Sequence, residues 1–270
     1  MATGNKLKAL FRHTELGDTF DATALALDVS IRSNLLSYQV RQDDGHRLAV
    51  AAFEPDGNIL EDERQLLDWL REESLLKESF KQVRILWNEP RLTLVPEALF
   101  VADESKAYIQ PVFDMQDAEL LLHTTQGEYI ALFPVQQAIY YALKGRWNDA
   151  QHLNQLQLNL DLSLQASKLS EGVSAFIDPD FIHLVLSENG KLQFQNAIAY
   201  GSATEAAYFI LNFFEQNKFN RNTTPITFVG ITNEHAIIQN LRSYLADIRY
   251  YRPAQVADDS PLILDSFLSI

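Results

Sequence analysis

The pattern of apolar and polar positions is clearest between residues 173 and 216. Apolar and polar residues alternate on both sides of Asn189-Gly190, as they do in two half-buried strands. Asn-Gly is a strong hairpin signal, because both central residues of a type I′ turn need a positive φ. Ser202, followed three residues later by Glu205, is a capping box. The next residues place four apolar side chains on one helical stripe: Ala206, Phe209, Ile210 and Phe213. The stretch therefore predicts strand, turn, strand and helix.

A looser copy of this order begins at Ala24. Residues 25–30, 34–40 and 46–53 each predict a strand, and Asp43-Asp44-Gly45 predicts the hairpin turn between the last two. A helix is expected to start in the acidic run 61–63, since acidic side chains complement the positive end of the helix dipole. Its predicted buried side consists of leucines: Leu66, Leu67, Leu70 and Leu75. We interpret the two copies as an internal duplication.

The segments outside the two copies follow the same rules. Strands are predicted at 81–87, 92–95, 120–124, 129–133, 225–229 and 248–251. Short helices are predicted at 96–100, at 136–144 with Gly145 ending the helix, and from Asn233 as N-cap to Leu245, with Ala236, Ile237 and Leu241 facing inward. Residues 1–20 are expected to form an arm or short helix, and 103–116 show no clear pattern. The apolar segment 260–270 is expected to pack on the core.

The leucine-rich segment 153–172 fits two interpretations. Its leucines alternate, which suits a strand, but they also fall on helical stripes. Gln, Asn and Asp between them are poor strand formers, which favours the helix. Strands alternating with helices indicate a mixed α/β sheet. Three antiparallel strands followed by helix–strand pairs, present twice, match the actin-like ATPase, ribonuclease H-like fold. We therefore predict two βββα-type subdomains, at residues 1–150 and 151–270.

Composition narrows the classes of function. The 270 residues carry a formal charge of −14, which argues against a nucleic-acid partner, because such binding relies on clustered Lys and Arg. Cysteine is absent from the sequence, so disulfides, thiolate metal sites and a cysteine nucleophile are excluded. The first residues lack the apolar core of a signal peptide, and no apolar run approaches the roughly 20 residues of a transmembrane helix. We expect a cytoplasmic protein without membrane insertion.

Two segments carry a resemblance to a known family. Residues 93–100, with the sequence TLVPEALF, and residues 183–210 resemble a family of uncharacterised bacterial proteins. That family has an actin-like ATPase fold akin to the cytoplasmic domains of pilus and secretion assembly proteins. The resemblance implies this fold and supplies no activity, cofactor or site residue.

Actin-like ATPases cradle phosphates in the turn that joins the first two strands of each half. Glycine suits such a turn, because the backbone must approach the phosphate closely. Here the corresponding turns, 28–34 and 178–181, contain no glycine, and Pro179 removes one N–H donor. Asp28 and Asp178 are the candidate cofactor-binding residues, although an Asp at a strand end more often stabilises a turn. Phe181 stands where a phosphate would lie. These features predict a degenerate nucleotide site.

Other constellations give no site. The six histidines show no metal-ligand spacing, and His183 is expected on a solvated strand face. A cluster of helix aromatics is interpreted as core: Tyr208, Phe209, Phe213 and Phe214. The pairs Tyr140-Tyr141 and Tyr250-Tyr251 suit a protein interface.

The first hypothesis is thus a non-catalytic actin-like interaction or assembly module with a protein partner and no cofactor. The alternative is an ATPase or small-molecule kinase that binds Mg-ATP through Asp28 and Asp178. A ribonuclease H-type nuclease is a weaker reading, because such an enzyme needs acidic residues around two metals and a basic stripe for its substrate.

Overall fold

The computed structural model describes residues 7–17, 19–166 and 172–251, without the side chains of residues 165 and 166. The chain divides into two compact units between Gln155 and Leu156. No helix in this part of the chain is long and apolar enough to cross a membrane. The prediction for residues 260–270 lies outside the described residues.

The described residues form fourteen strands and six α-helices. The strands are β1 (Lys8–Thr14), β2 (Ala26–Ile31), β3 (Leu36–Arg41), β4 (Arg47–Glu54), β5 (Gln82–Trp87), β6 (Thr93–Pro96), β7 (Glu119–Gln126), β8 (Tyr129–Gln136), β9 (Gln151–Asn154), β10 (Gly172–Ile177), β11 (Phe181–Glu188), β12 (Lys191–Ala199), β13 (Ile226–Val229) and β14 (Ile248–Tyr251). The helices are α1 (Glu63–Glu72), α2 (Ser105–Ile109), α3 (Gln137–Arg146), α4 (Gln155–Ala166), α5 (Ala203–Gln216) and α6 (Ala236–Leu241).

The main sheet of unit 1 has the strand order β1-β4-β3-β2-β5-β9. Neighbouring strands pair antiparallel in the first four positions of this order, β1-β4-β3-β2. The next two strands pair in parallel, β5 with β2 and β9 with β5. All six residues of β2 are buried, as expected for a central strand covered on both faces. On one face, Trp69 of α1 packs against Tyr38 and Phe53 with ring centroids 6.2 and 5.7 Å apart. Aromatic packing therefore fixes α1 on this sheet.

Unit 1 also carries a three-stranded sheet with the order β6-β8-β7. Its small core combines apolar residues of β6, β8 and α2: Val95, Ile109, Ile130 and Leu132. Arg91 binds the carboxylates of Glu89 and Glu119 with Nη2–O distances of 2.8 and 2.6 Å. This ion cluster ties the chain entering β6 to the start of β7.

The sheet of unit 2 repeats the order of unit 1. Its strands follow the order β12-β11-β10-β13-β14, with the first three antiparallel and the last three parallel. This is the arrangement of β4-β3-β2-β5-β9. Buried residues of β10, β11, β13, α5 and α6 form one core, which includes the completely buried Phe214 and Phe228. The mixed α/β class is as predicted.

Several local predictions are confirmed. Asn189 and Gly190 have φ of 53° and 72°, as a type I′ hairpin requires. The Ser202 hydroxyl accepts a hydrogen bond from the Glu205 amide at 3.2 Å and caps α5. The leucine-rich segment 153–172 is helical over α4, as predicted. Residues 153 and 154 belong to β9, and residues 167–171 are not described.

Other local predictions are wrong for identifiable reasons. The segment 1–20, predicted as an arm or short helix, contains the strand β1, because residues 8–14 extend the sheet beyond β4. Leu67 and Tyr208 are 45% and 61% exposed, since the 100° step per residue turns them away from the buried arcs of α1 and α5. Phe209 is only half-buried, and Ala236 is exposed.

Two predicted helix ends also differ. Gly145 lies inside α3, which runs on to Arg146 and ends where the Trp147 amide donates to the Leu143 carbonyl. The cap of α6 is His235, because its Nδ1 accepts from the Ile237 amide at 3.3 Å. The predicted cap, Asn233, lies outside the helix, and α6 ends at Leu241.

Candidate functional site

Asp28 lies in the middle of β2 and is completely buried. In the sheet it pairs with Gln39 of β3 on one side and with Arg84 of β5 on the other. Successive side chains along a strand point to opposite faces, so these three share a face, and Arg41, two residues beyond Gln39, shares it too. This is the face opposite Tyr38 and α1. The sheet register thus collects a carboxylate, an amide and two guanidinium groups.

The Asp28 carboxylate accepts four hydrogen bonds. Arg84 donates from Nε to Oδ1 at 2.5 Å and from Nη2 to Oδ2 at 2.9 Å. Arg41 Nε and Gln39 Nε2 donate to Oδ2 at 2.9 and 2.8 Å. Burial raises the pKa of the Asp28 carboxyl, but the hydrogen bonds and charge of Arg84, the charge of Arg41 and the bond from Gln39 outweigh it, so the pKa lies below its usual value.

This geometry makes Asp28 the internal counter-ion of two arginines. The Arg41 and Arg84 side chains are only 12% and 10% exposed, so they need an anion inside the fold. Oδ2 accepts three of the four hydrogen bonds and Oδ1 accepts one, so a metal ion or water that used Oδ2 would have to displace a donor, and one that used Oδ1 would have to reach a buried atom beside Arg84. The Asp28 carboxylate therefore neutralises the two arginines inside the fold and has little remaining capacity to bind a ligand.

The turn after β2 starts later than the sequence predicts. β2 continues through Ile31, and the turn comprises residues 32–35, closed by a hydrogen bond from the Arg32 amide to the Leu35 carbonyl at 3.0 Å. Asp28 consequently lies four residues before the turn. The sequence pattern placed the start of the turn too early, because the polar residues of β2 face a buried ion cluster instead of solvent.

The two candidate aspartates do not occupy equivalent positions. β2 and β10 hold the same place in their sheets. The residue that follows β2 is Arg32, whereas the residue that follows β10 is Asp178. Counted back from the strand ends, the counterpart of Asp28 in β10 is Ser174. The structure therefore does not bring the acidic residues into matching turns.

Asp178 stabilises the turn between β10 and β11. Its Oδ1 accepts a hydrogen bond from the Asp180 amide at 3.1 Å, and its own amide donates to the Phe181 carbonyl at 3.0 Å. The Tyr200 hydroxyl donates to the Asp178 carbonyl at 2.7 Å. Burial and the negative charges of Asp178 and Asp180 raise the pKa of Tyr200. The hydrogen bond from the Asp180 amide to the Asp178 side chain is the Asx-turn contact that Asp commonly makes in turns.

His183 corrects the prediction of a solvated strand face. It is completely buried in β11, where its Nε2 lies 3.1 Å from Gln195 Oε1 and its ring lies 5.8 Å from that of Phe176. Burial lowers the pKa of His183 to about 4, against the opposing effect of the Gln195 hydrogen bond. The prediction failed because both faces of β11 are covered. His183 is therefore a neutral core residue.

His152 of β9 is also held neutral. Trp87 Nε1 donates to His152 Nδ1 at 3.0 Å, and burial followed by the charge of Lys144 lowers the pKa of His152 to about 4. Within the described residues, no group of three or more His, Cys, Asp or Glu side chains could hold a metal ion.

A cavity of about 380 Å³ lies in unit 1 between residues 78–83 and 146–151. It lies at the amino-terminal ends of the parallel strands β5 and β9. The turn at 32–35 follows the carboxyl end of β2, which runs parallel to β5, so the turn and the cavity lie at opposite ends of these strands. Ligands of open α/β sheets usually bind at the carboxyl ends of strands. The cavity is thus remote from the predicted nucleotide position.

Sequence reasoning missed the arginines and the amide that surround Asp28. The signal that could have found them is the set of polar residues inside strands that are otherwise apolar, such as Gln39 in the second predicted strand. Arg84 lies 56 positions from Asp28 in the chain, and only the parallel pairing of β5 with β2 brings the two together.

Comparison with known proteins gives a family and a fold. A family model described as "Protein of unknown function (DUF3822)" matches residues 17–248. None of the curated proteins matches the sequence. A crystal structure from Bacteroides thetaiotaomicron VPI-5482, of a protein with actin-like ATPase fold and unknown function, is similar with a TM-score of 0.79 and 16% identity, over 92% of this chain and 97% of that one.

Two further structures are similar at a lower level. The PilM-PilN type IV pilus biogenesis complex gives a TM-score of 0.55 with 12% identity, over 89% of this chain and 94% of that one. The ethanolamine utilization protein EutJ from Carboxydothermus hydrogenoformans gives 0.52 with 10% identity, over 94% and 89%. These similarities confirm the predicted actin-like ATPase fold and the resemblance to an uncharacterised family.

Proposed function

We propose that this chain, which belongs to the DUF3822 family of proteins of unknown function, is a non-catalytic actin-like module that acts by binding a protein partner. In this proposal the nucleotide position of the fold is degenerate and takes no cofactor. The absence of cysteine agrees with a reducing, cytoplasmic location.

The state of Asp28 is the observation that carries the proposal. A nucleotide site in this fold needs an acidic residue that can reach a metal ion or its water. The Asp28 carboxylate is fully buried and accepts four hydrogen bonds, three of them from arginines. The residue that follows β2 is Arg32, which is not an acidic metal ligand. Together these features support a scaffold role for the acidic position.

The turns support the same conclusion. Backbone N–H groups cradle a phosphate best where glycine lets the chain approach it closely. Residues 32–35 contain no glycine, and the second turn contains Pro179, which has no N–H to donate. The Asp178 amide is engaged with the Phe181 carbonyl.

Support for a protein partner comes from fold relatives and from the surface. The similar structure of PilM with PilN is a complex of two proteins. In this chain, Leu99 and Val112 are 67% and 63% exposed, and Tyr141 is 53% exposed. Of these, the tyrosine is the residue type that is enriched at protein interfaces.

A thermal-shift titration with ATP, ADP and GTP, each with and without Mg²⁺, tests the proposal against the ATPase or kinase alternative. A ligand at one hundred times its Kd stabilises the folded state by about 2.7 kcal/mol, which is readily measured. We expect no magnesium-dependent shift at millimolar nucleotide. A shift that requires Mg²⁺ and is lost in Asp178→Ala would refute the proposal in favour of the alternative.

A further inference from the structure

The edges of the two main sheets differ at equivalent strands. In unit 1, β4 holds the position that β12 holds in unit 2. β1 pairs antiparallel with β4 and covers its outer side. β12 pairs with β11, and among the described residues no strand lies on its other side. In the described residues, the same architecture therefore has an additional strand beyond β4 in unit 1 and has β12 as its edge strand in unit 2.

The strand that closes unit 1 is cationic. Lys8 binds Glu54 at 2.9 Å, and Arg12 makes a two-pronged contact with the buried carboxylate of Glu73 at 3.2 and 2.7 Å. Charged side chains on an outer strand also discourage further strands from pairing with it. β1 thus both covers β4 and presents a protected edge.

β12 carries a charged residue at its start, Lys191, and has neither form of protection from Leu192 to Ala199. Residues 192–199 have the sequence LQFQNAIA, without a charged residue or a proline. The pairing with β11 has one irregularity near Gln193, and the register is regular from Phe194 to Ala199. The uncharged part of this edge strand offers its outward N–H and C=O groups to another strand.

We propose that β12, between Phe194 and Ala199, is a docking edge that receives an extended cationic segment of a partner protein as an antiparallel strand. The incoming segment would take the position that β1 takes on β4 in unit 1. Main-chain hydrogen bonds would supply its binding energy, as in other complexes formed by strand addition. The inference rests on the proposed interaction function and specifies the surface and the chemistry of the partner.

The net charge of the chain determines which kind of segment can dock on β12. The chain carries a formal charge of −14, so it attracts cationic segments and opposes approach of a second copy of itself. Glu188 and Glu205 are exposed near the two ends of β12. Glu188 faces Lys191 in the ladder of β11 with β12, and the Glu205 carboxylate accepts a hydrogen bond from the Gly201 amide at 2.7 Å, so it is the net charge of the chain that favours a cationic occupant.

The experiment uses the full chain and a peptide with the sequence of residues 7–14, LKALFRHT, as the probe. Two control peptides are a charge-reversed form with Lys8→Glu and Arg12→Glu, and a form with Ala9→Pro and Phe11→Pro that cannot complete a ladder. Amide hydrogen exchange of β12 is the readout. In a free edge strand, the amides that point away from β11 exchange fast, while the alternate amides are protected.

We expect the cationic peptide to slow the outward amides of residues 194–199 by about tenfold or more at saturation, without changing β4. The proline peptide should have no effect, and the charge-reversed peptide should bind more weakly.

Substitutions in the protein give a second test, at Asn196, an exposed residue of β12. Asn196→Lys should weaken and Asn196→Glu should strengthen binding of the cationic peptide, each by about threefold for one charge some 6 Å away. The same changes at exposed Asn212 on α5 serve as controls.

Three results would overturn the proposal. The first is no protection of β12 by the cationic peptide. The second is complete protection of β12 in the free monomeric chain, which would mean that the chain covers its own edge. The third is protection that rises with protein concentration together with a dimeric mass, which would make a second copy the occupant. None of these depends on nucleotide binding, so failure here is distinguishable from failure of the non-catalytic proposal.

Discussion

Replacing Asp28 by Asn removes the charge of the buried carboxylate and keeps its shape. The variant leaves Arg41 and Arg84, both nearly buried, without their anion. Removing one partner of a buried ion pair costs about 3–5 kcal/mol, because the remaining charge stays desolvated. Asp28→Asn is therefore expected to destabilise unit 1 by an amount in this range. If Arg84 is removed as well, as in Asp28→Asn with Arg84→Met, the loss should be smaller than the sum of the single losses, by about 0.5–3 kcal/mol.

Urea unfolding followed by tryptophan fluorescence is the appropriate assay. All three tryptophans, Trp69, Trp87 and Trp147, belong to unit 1, so the signal reports the unit that contains Asp28. Asp43→Asn is the matched control, because Asp43 makes an exposed ion pair with Lys81 in the same unit, and such pairs contribute little.

The sign of the pH dependence gives a second check. The pKa of Asp28 is lower in the folded than in the unfolded chain, so its contribution is present above the ordinary pKa of 3.8 and is lost as pH falls through the folded value. If Asp28→Asn unfolded at the same urea concentration as the wild type, the buried carboxylate would not be the counter-ion of the arginines. The structural interpretation of Asp28 would then be wrong.

The remaining predictions concern His183 and two glycines. His183 has a folded pKa of about 4 against 6.5 when unfolded, so the unfolded state takes up more protons as pH falls between these values. Unit 2 should lose about 2 kcal/mol between pH 7.5 and 5, and His183→Leu should flatten that part of the profile measured by circular dichroism; an unchanged slope would contradict the neutral core histidine. Gly230 has φ +91°, and a Cβ there would lie 2.9 Å from the Ile177 carbonyl oxygen, so Gly230→Ala should cost at least about 1–3 kcal/mol. Gly145 lies inside α3 with open space around it, so Gly145→Ala should stabilise by about 0.5–1 kcal/mol; effects of the same sign at both glycines would count against the described backbone.

Local signals predicted much of the fold. The Asn189-Gly190 turn and the Ser202 cap depend on residues within four positions of one another, and both appear as expected. Strand and helix alternation was enough to identify the fold class. The short strand β9 was missed, because its sequence QHLN has a single apolar residue, and its pairing with β5 holds it in the sheet.

The candidate site could not be predicted to the same extent. The role of Asp28 depends on Arg84, 56 residues away, and no local pattern contains that distance. His183 was assigned to solvent because polar residues at alternate positions usually face water, whereas both faces of β11 are buried. In both cases tertiary packing placed a polar side chain in the interior, where the balance of burial, neighbouring charge and hydrogen bonds sets its protonation state.

We propose that neither hairpin turn, at residues 32–35 or 178–181, holds a nucleotide. Amide hydrogen exchange of residues 32–35 and 178–181, measured with and without millimolar Mg-ATP, tests it most directly, because a cradled phosphate would engage these N–H groups. We expect identical exchange in both conditions. Protection of both turns that requires Mg²⁺ would contradict it and would establish a working nucleotide site.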